Sequence, residues 1–434
     1  MSDRLSKLRP ALQELATFPL LDALYGRRSR RFGLGMTIPD GPLAFQSKRE
    51  PKPLSKLERS VIIAAGAGLS GWNLGIPYTA ASRQGFGCNY TVRPIGRTFP
   101  SGAATQGSEL LVTDDSGSYI TRFRDLDPEA IREYQGLDDL ERLIAIVDAN
   151  LVRISDKRVE LPRDYPYIAA HNRWVANTPG STLFLPVGDA VESLFNQLWI
   201  RSGEGVLIYD PRLKRPLGNP EALLSRGLLR QDRRMPLPVL EGSSRNSVVT
   251  ELSVAAYNIH LLLQAIGLGG WLFSGLNVNA LLGLHRDQGI PGFGFRFENR
   301  EDWIQPNPVG LDGLFEPLIP PYQQDMRRAA EGFAQRKFGA NGNHQPWRSG
   351  PYRDNVGVKA RIERFDEVFV EYLGSIAQDI YDNYGKFPAS QPSVAITCYT
   401  QAHHIDLDFY DTHYGEGAYL DTHARHEQLW DVEV

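Results

Sequence analysis

The sequence predicts a protein of the α+β class, and three segments carry that prediction. Val248 to Leu268 has a broad apolar stripe at helical spacing and low polarity, which is typical of a buried central helix. Leu137 to Ile154 also shows the helical period. Ser108 to Phe123 has two short apolar runs around the turn-forming residues Asp114 to Gly117, which predicts a β-hairpin.

The remaining elements are predicted from local signals along the chain. Leu5 to Tyr25 has helical apolar spacing, and Ser55-Lys56-Leu57-Glu58 has the form of a capping box that starts a second helix. We expect irregular structure around short elements in Leu183–Pro216 and Arg226–Pro238. Towards the end of the chain we expect a helix over Lys359–Tyr384 and a strand over Val394–Tyr399.

Composition places few limits on function. The 434 residues leave room for two or three domains of ordinary size. A net charge of −4 gives no global electrostatic reason to expect nucleic acid or an anionic membrane as partner. No apolar run reaches the roughly 20 residues that a membrane-spanning helix needs. We therefore expect neither nucleic acid nor membrane among the partners.

Cysteine content and the N-terminal residues favour a cytoplasmic location. Cys88 and Cys398 are the two cysteines, and no CxxC pattern occurs, so a disulfide framework is excluded and reduced, structural thiols are expected. Met1 to Leu24 carries charges among its apolar residues and lacks the apolar core of a signal peptide.

One segment matches the residue pattern of a dinucleotide-binding motif but lacks the context that the motif requires. Gly66 to Gly71 matches GxGxxG, but that fingerprint requires a preceding strand and an acidic residue about 20 positions later. The capping box at Ser55 makes the preceding run a helix, and Gly75 to Ser108 contains no Asp or Glu. The glycines therefore indicate a tightly packed helix end.

The most informative stretch is the basic segment from Arg27 to Phe32, which places four arginines around Ser29. A phosphomonoester needs several converging donors. Arginine offers a planar fork that pairs its oxygens, and a serine hydroxyl adds a further bond. These residues could hold such a phosphate, although the segment alone equally fits a solvated basic surface patch.

Three ordered blocks resemble the nitroreductase family of FMN-dependent oxidoreductases. The first is the arginine segment after an N-terminal helix, followed by Pro-Leu-Ser and a helix. The second, Arg97 to Thr105 followed by Glu109-Leu110-Leu111-Val112, is similar to the branch that contains azoline-oxidising dehydrogenases. The third, Asn258 to Leu282, resembles the central helix, glycine turn and following helix of the family.

The resemblance implies a fold, a cofactor and an assembly. It implies a three-layer α/β/α fold over residues 1–297, with an atypical insertion at about 156–247, and a long C-terminal extension over 298–434. It implies FMN as cofactor, an intertwined homodimer with FMN at the interface, and NAD(P)H as a possible electron donor. The extension would cover the active site or the dimer interface, and small organic molecules would be the substrates.

The resemblance also implies a set of FMN-binding residues. Arg27, Arg28, Ser29 and Arg31 would contact the phosphate and ribityl chain. Pro100, Ser101 and Gly102 would lie against the ring, from the same or the other subunit. Gly269 and Gly270 would offer backbone N–H groups near flavin N5 and O4. Arg286 or Arg296 would complete the phosphate site. No catalytic side chain is predicted, because the chemistry belongs to the flavin.

The sequence departs from the family in two places. Small nitroreductases often have Asn and Gln-Pro-Trp after the Pro-Ser turn, and neither follows Pro100-Ser101 in the next residues here. The segment after Pro291 has no counterpart in the small members. These departures leave the substrate class, the direction of the reaction and the use of NAD(P)H open.

Five of the nine histidines fall near the end of the chain, among three aspartates: His403, His404, His413, His423 and His426, with Asp406, Asp408 and Asp411. A metal site could be drawn from this set. However, neighbouring His403 and His404 would point to opposite sides of a strand, so both are not expected to bind one ion. We expect no metal site, and a role for one or two of these histidines at the substrate pocket.

The function predicted from the sequence is an FMN-dependent oxidoreductase that moves hydride or electrons through flavin N5. Two alternatives come from other classes. One is a flavin-binding protein without turnover, for sequestration or redox sensing. The other is a metal-dependent oxygenase that uses the C-terminal histidines.

Overall fold

The computed structural model describes residues 2–77, 89–127, 134 and 136–430, with side chains from residue 9 onwards. Cys88 lies outside the described residues, and Cys398 is a free, partly buried thiol. None of the helices in these ranges combines the length and the apolar run needed to cross a bilayer.

Thirteen α-helices lie within the described ranges. They are α1 (Ser2–Thr17), α2 (Leu20–Gly26), α3 (Lys56–Ala67), α4 (Leu137–Asn150), α5 (Ala190–Gly203), α6 (Glu221–Ser225), α7 (Leu237–Ile266), α8 (Val278–Leu282), α9 (Met326–Phe338), α10 (Asn355–Ala360), α11 (Glu367–Tyr384), α12 (Leu407–His413) and α13 (Asp421–Trp430).

Sixteen strands lie within the same ranges. They are β1 (Thr37–Ile38), β2 (Phe45–Gln46), β3 (Leu69–Trp72), β4 (Ile95–Arg97), β5 (Glu109–Asp114), β6 (Gly117–Thr121), β7 (Leu151–Ser155), β8 (Thr182–Asp189), β9 (Val206–Asp210), β10 (Arg215–Pro216), β11 (Arg230–Pro236), β12 (Gly269–Phe273), β13 (Arg296–Glu298), β14 (Asn307–Gly310), β15 (Val394–Ala395) and β16 (Tyr399–His403).

The main sheet has seven antiparallel strands in the order β12-β16-β8-β5-β6-β7, with β15 also paired to β8. The predicted hairpin is confirmed as β5 and β6, in which Asp114 pairs with Gly117. The α+β class is therefore confirmed. The strand β8 comes from the stretch 156–247, and β16 comes from the segment after 298, so both segments contribute to this sheet.

The two faces of the sheet bury different cores. Leu110, Val112 and Phe184 pack on one face with helices α3 and α7. Their neighbours in sequence, Leu111 and Leu185, pack on the opposite face, as expected for alternating strand residues. That second face is covered by long loops and the short helices α8 and α12. The three-layer α/β/α arrangement stays a prediction.

Helix α7 is the buried central helix that the sequence predicts, although it starts earlier, at Leu237. The capping box is also present: the Ser55 side chain accepts from the Glu58 N–H, and Glu58 accepts from the Ser55 N–H. An added Cβ on Gly66 would lie 2.4 Å from Ile259 Cγ1 of α7. Because helix α3 precedes the glycines and β3 follows them, the interpretation of GxGxxG as a packed helix end is confirmed.

Several predicted boundaries are wrong. Leu183–Pro216 is not irregular: it contains β8, in which every residue is buried, and the largely buried helix α5. Arg226–Pro238 contains β11 and the start of α7. The helix predicted to Ile154 ends at Asn150 and continues as β7, and the last long strand is Tyr399–His403. The first predicted helix breaks into α1 and α2 near Pro19, and the one expected from Lys359 begins at Glu367.

Candidate functional site

The arginine segment forms an extended stretch after α2 that joins the edge of the main sheet. Arg30 makes a β-bridge with Gly270 of β12, and Gly33 makes one with Ile405, just after β16. An added Cβ on Gly33 would lie 2.4 Å from His403 Cδ2 and 2.6 Å from the His404 carbonyl oxygen. A glycine is therefore required for the segment to approach β16 so closely.

Alternate residues of this segment point in opposite directions. Arg30 is 2% exposed, and its guanidinium donates to the carbonyls of Ala418 and Gly26 and to the Gln264 side chain. Burial lowers the pKa of Arg30 to about 10, so this arginine stays charged at neutral pH. Arg28, Ser29 and Arg31 are exposed. Arg31 lies over the Trp271 ring, 5.8 Å from its centroid.

An open cleft of about 690 Å³ lies against the segment, and we call it the arginine cleft. It is lined by residues 28–32, by Ile38, Leu43 and Trp174, and by the C-terminal residues Phe409, Tyr410 and 414–418. The C-terminal segment thus covers the cleft of its own chain. The volume falls in the range of about 300–1,000 Å³ that is usual for small-molecule sites.

The charge of the arginine cleft is strongly one-sided. Among the described residues, no carboxylate lies within 4.0 Å of the guanidinium nitrogens of Arg27, Arg28, Arg30 or Arg31. Glu416 is the one acidic residue in its lining. Three arginines meet a single carboxylate there, which favours an anionic ligand.

The wall opposite the arginines is aromatic. Phe32 stacks on Phe409, with 4.3 Å between ring centroids, and on Trp174 at 6.4 Å. Tyr410 packs on Tyr414 at 5.6 Å, and its hydroxyl accepts from the Phe32 N–H at 3.1 Å. Phe32, Phe409 and Tyr410 are buried, whereas Trp174 is partly exposed and Tyr414 is exposed. The cleft can therefore offer cations to an anionic group, and Trp174 and Tyr414 can offer apolar surface to a ring.

A larger cleft elsewhere in the described part does not suit an anion. It has a volume of about 900 Å³ and lies between α5, α9 and α11. Its charged lining consists of one arginine, Arg327, and five carboxylates: Glu221, Glu331, Asp366, Glu367 and Glu371. A phosphate would be repelled there, so the smaller arginine cleft is the better candidate.

The predicted glycine pair lies beside the arginine segment but in a strand instead of a turn. The turn is at Gly267, which caps α7 with φ 78°, and Gly269 and Gly270 begin β12. The Gly270 N–H donates to the Arg30 carbonyl at 2.7 Å. The structure thus brings these glycines and the arginines together, while the Gly270 amide is already bonded within the chain.

The predicted Pro100-Ser101-Gly102 block lies elsewhere along α7. The Ser101 hydroxyl bonds the Glu251 carboxylate, whereas Arg30 bonds Gln264, so about 20 Å of helix axis separate the two contacts. An added Cβ on Gly102 would lie 2.5 Å from Ser247 Oγ. Pro100 is exposed. A single chain therefore does not place this block in the arginine cleft.

The loop after this block is strained. Ala103, Ala104 and Gln106 have φ values of 54°, 51° and 53°, a region that non-glycine residues rarely adopt. Glu251 holds the loop through Ser101 and also accepts from Ser108 Oγ at 2.5 Å. Burial raises the pKa of Glu251. Such strain is concentrated at functional sites, which makes the loop a second surface of interest.

Neither downstream arginine reaches the arginine cleft. Arg286 and Arg296 line a separate cleft of about 290 Å³ that shares no residue with it. Arg286 donates to the Gly294 carbonyl, and Arg296 pairs with Asp312 at 2.5 Å. Within one chain, therefore, neither completes a phosphate site at Arg28 and Arg31.

The C-terminal histidines are mostly buried, and none lines the arginine cleft. His403 and His404 face different neighbours, as the strand alternation predicts. His403 packs on Gly33 and Gly269, and burial lowers its pKa to about 3. Burial lowers the pKa of His404 to about 4, against the opposing effects of Glu58 and the Pro53 carbonyl.

The sequence analysis missed the acidic partner of these histidines. His426 Nε2 lies 2.7 Å from Glu58 Oε1, and His404 Nε2 lies 3.8 Å from the same oxygen. The three aspartates are not involved: Asp406 caps α12, and Asp411 accepts from Tyr419. Glu58 was assigned to the capping box alone, and it comes from the far end of the chain.

Comparisons with known proteins give only weak structural likeness. No family model matches the chain, and no curated protein matches it. Among solved structures, the chain is similar to a protein described as "a putative nitroreductase" from Ralstonia eutropha JMP134. The identity is 15%, the TM-score is 0.28, and the match covers 60% of this chain and 71% of that one. No assignment follows from a likeness of this size.

Proposed function

We propose that the arginine cleft binds FMN and that the protein is an FMN-dependent oxidoreductase. The observation that carries the proposal is a basic cluster without carboxylate partners facing an aromatic wall. An uncompensated cluster of arginines is costly unless solvent or an anion balances it. A phosphomonoester joined to a flat ring system satisfies both halves of the cleft.

Arg28, Ser29 and Arg31 would hold the phosphate. Arg28 and Arg31 have exposed guanidinium groups, and Ser29 lies between them with an exposed side chain. Buried Arg30 would not contact the phosphate. Its bonds to Gln264 and to the Ala418 carbonyl would instead fix the backbone that carries the three phosphate-binding side chains. Charge-assisted bonds of this kind are the strong ones in phosphate recognition.

Trp174 and Tyr414 offer apolar surface on the other side of the cleft. Bound flavin would supply hydride and electron transfer, while the chain positions the ring and limits water around it. A dimer in which the partner subunit supplies the Pro100–Gly102 loop would unite the two surfaces that one chain keeps apart. We include that homodimer, and NAD(P)H as electron donor, in the proposal.

The test is the visible absorption spectrum of the purified protein, followed by identification of the cofactor released on denaturation. We expect oxidised flavin bands and FMN at about one per chain. A colourless protein that takes up no added FMN would overturn the proposal. Rapid oxidation of the bound reduced flavin by a quinone or nitroaromatic would distinguish an oxidoreductase from a protein that only stores flavin.

A further inference from the structure

We propose that Glu58, His404 and His426 form a binding site for a divalent metal ion of the zinc type, and that this ion fixes the C-terminal helix α13 to helix α3. One oxygen or nitrogen from each of the three side chains lies within 4.8 Å of the others. Imidazole and carboxylate together are a common donor set for Zn²⁺.

The bonding of His426 is the first argument. Its Nδ1 lies 2.5 Å from the Ile266 carbonyl oxygen, and its Nε2 lies 2.7 Å from Glu58 Oε1. Both neighbours are acceptors, whereas a neutral imidazole has one N–H. Either His426 is an imidazolium, or Nδ1 carries the single proton and Nε2 shares a cation with Glu58. A backbone carbonyl that receives the second N–H is the usual support of a metal-bound histidine.

His404 is the second argument. It is 4% exposed, the Pro53 carbonyl acts on its ring as an acceptor, and Nε2 makes no hydrogen bond to the described residues. A buried polar group without a partner is costly, and it usually signals a ligand or an ordered ion. Its Nε2 lies 3.8 Å from Glu58 Oε1, the same oxygen that faces His426. A cation bound between them would therefore satisfy all three side chains.

Glu58 is oriented for this role by the capping box. Its Oε2 accepts from the Ser55 N–H at 2.5 Å, which directs Oε1 towards the two histidines. The opposing charge nearby is Lys52, whose field acts on His404, and the Glu58 carboxylate offsets it. Three protein ligands leave a fourth position for a water molecule.

The location indicates a structural role. All three ligands are at most 4% exposed, which leaves no space for a substrate. Glu58 lies in the first turn of α3, His404 directly follows β16, and His426 lies on α13. One ion would therefore join three elements that are distant in sequence. The site is separate from the arginine cleft, so flavin binding does not depend on this inference.

The experiment uses the full-length protein, stripped with a chelator and then titrated with ZnCl2 or CoCl2. We expect one metal per chain, a visible cobalt spectrum, and a melting temperature that falls on stripping and recovers with zinc. His404→Gln should abolish uptake. His171→Gln, which changes an exposed histidine, should retain one zinc.

Three results would overturn the site, and the first two do not require a variant to fold. One is a folded wild-type protein that takes up neither zinc nor cobalt. The second is a His426 ring that shows two N–H resonances in NMR with excess zinc present, since this means the imidazolium pair with Glu58. Retention of one zinc by folded His404→Gln would have the same meaning.

Discussion

The Gly270 N–H donates a 2.7 Å hydrogen bond to the Arg30 carbonyl, and this bond joins the N-terminal arginine segment to the edge of the main sheet. An added Cβ on Gly270 would lie 2.3 Å from the Gln401 carbonyl oxygen, so a side chain there would separate β12 from β16. The position of the arginines therefore depends on a glycine more than two hundred residues away. Backbone pairing fixes Arg30. Beside it, Arg31 is exposed, and Arg28 is exposed but donates from one guanidinium nitrogen to the Tyr25 and Arg27 carbonyls.

Replacing Arg28 and Arg31 together by alanine should weaken FMN binding by about two to four orders of magnitude. Each charge-assisted hydrogen bond to the phosphate contributes roughly 1.5–3 kcal/mol. The measurement is a titration of the apoprotein with FMN, followed by flavin fluorescence. Arg245→Ala, which removes an exposed arginine from α7, serves as control and should leave the affinity unchanged. Equal FMN affinities in the wild type, the double variant and Arg245→Ala would show that the phosphate does not bind in this cleft.

Two glycines associated with α7 should respond to alanine in opposite directions. Gly267 has φ 78°, and an added Cβ would lie 2.1 Å from the Thr422 carbonyl oxygen. Gly267→Ala should therefore destabilise the protein by about 2 kcal/mol or more. Gly242 lies within the helix, and nothing lies within 4 Å of an added Cβ there. Gly242→Ala should stabilise by roughly 0.5–1 kcal/mol.

Urea unfolding of the two variants beside wild type tests this pair. Because both changes add the same methyl group, the difference between them isolates backbone conformation and close contact. A stabilising Gly267→Ala would show that the turn between α7 and β12 has another conformation. That result would also put the placement of Gly269 and Gly270 in question.

Local signals in the sequence were sufficient where a distinct cap or turn marks the element. The capping box at Ser55 and the hairpin turn at Asp114 are bonded as predicted. The same signals fail for β8 and α5. All eight residues of β8 are buried, so no alternation exists to mark it as a strand, and Pro186 within it argues against one. Helix α5 likewise has no polar face along most of its length.

The candidate sites were predictable in part. The arginine segment was found because phosphate chemistry demands a distinctive local composition. Its aromatic wall could not be found, since Trp174 and Phe409 reach it through long-range packing against Phe32. Glu58 was missed for a similar reason: its capping role explained it fully until the fold placed His404 and His426 beside it.

Glu192 should be among the most sensitive charged residues in the protein. It is fully buried, pairs with Arg93 at 2.5 Å, and also pairs with Arg336. Glu192→Gln keeps the shape but leaves the buried Arg93 with the more exposed Asp125, at 3.5 Å, in place of a buried carboxylate, which should cost about 3–5 kcal/mol. Glu331→Gln removes an exposed partner of Arg328 and should leave the urea midpoint unchanged. Similar midpoints for the two variants would contradict the burial of this pair.

Acid should destabilise the protein well above the range in which carboxylates titrate. Burial lowers the pKa of His260 to about 4 and that of His344 and His423 to about 3. Histidine in the unfolded chain has a pKa of about 6.5, so below that pH the unfolded chain binds protons that these buried histidines do not bind in the folded protein. The free energy of unfolding should therefore keep its full value above pH 6.5 and fall steadily as the pH drops towards 4.

His344→Gln isolates one of these contributions. His344 is buried near Lys337 and Lys359 and lies outside both proposed sites, so the change leaves their ligands in place. The free energy of unfolding, measured by urea at pH 7, 6, 5 and 4.5, should decline less steeply in this variant, by up to about 1.4 kcal/mol per pH unit. A parallel pair of curves, or a His344 ring proton that titrates near pH 6.5 in NMR, would show that this histidine takes up its proton in the folded state.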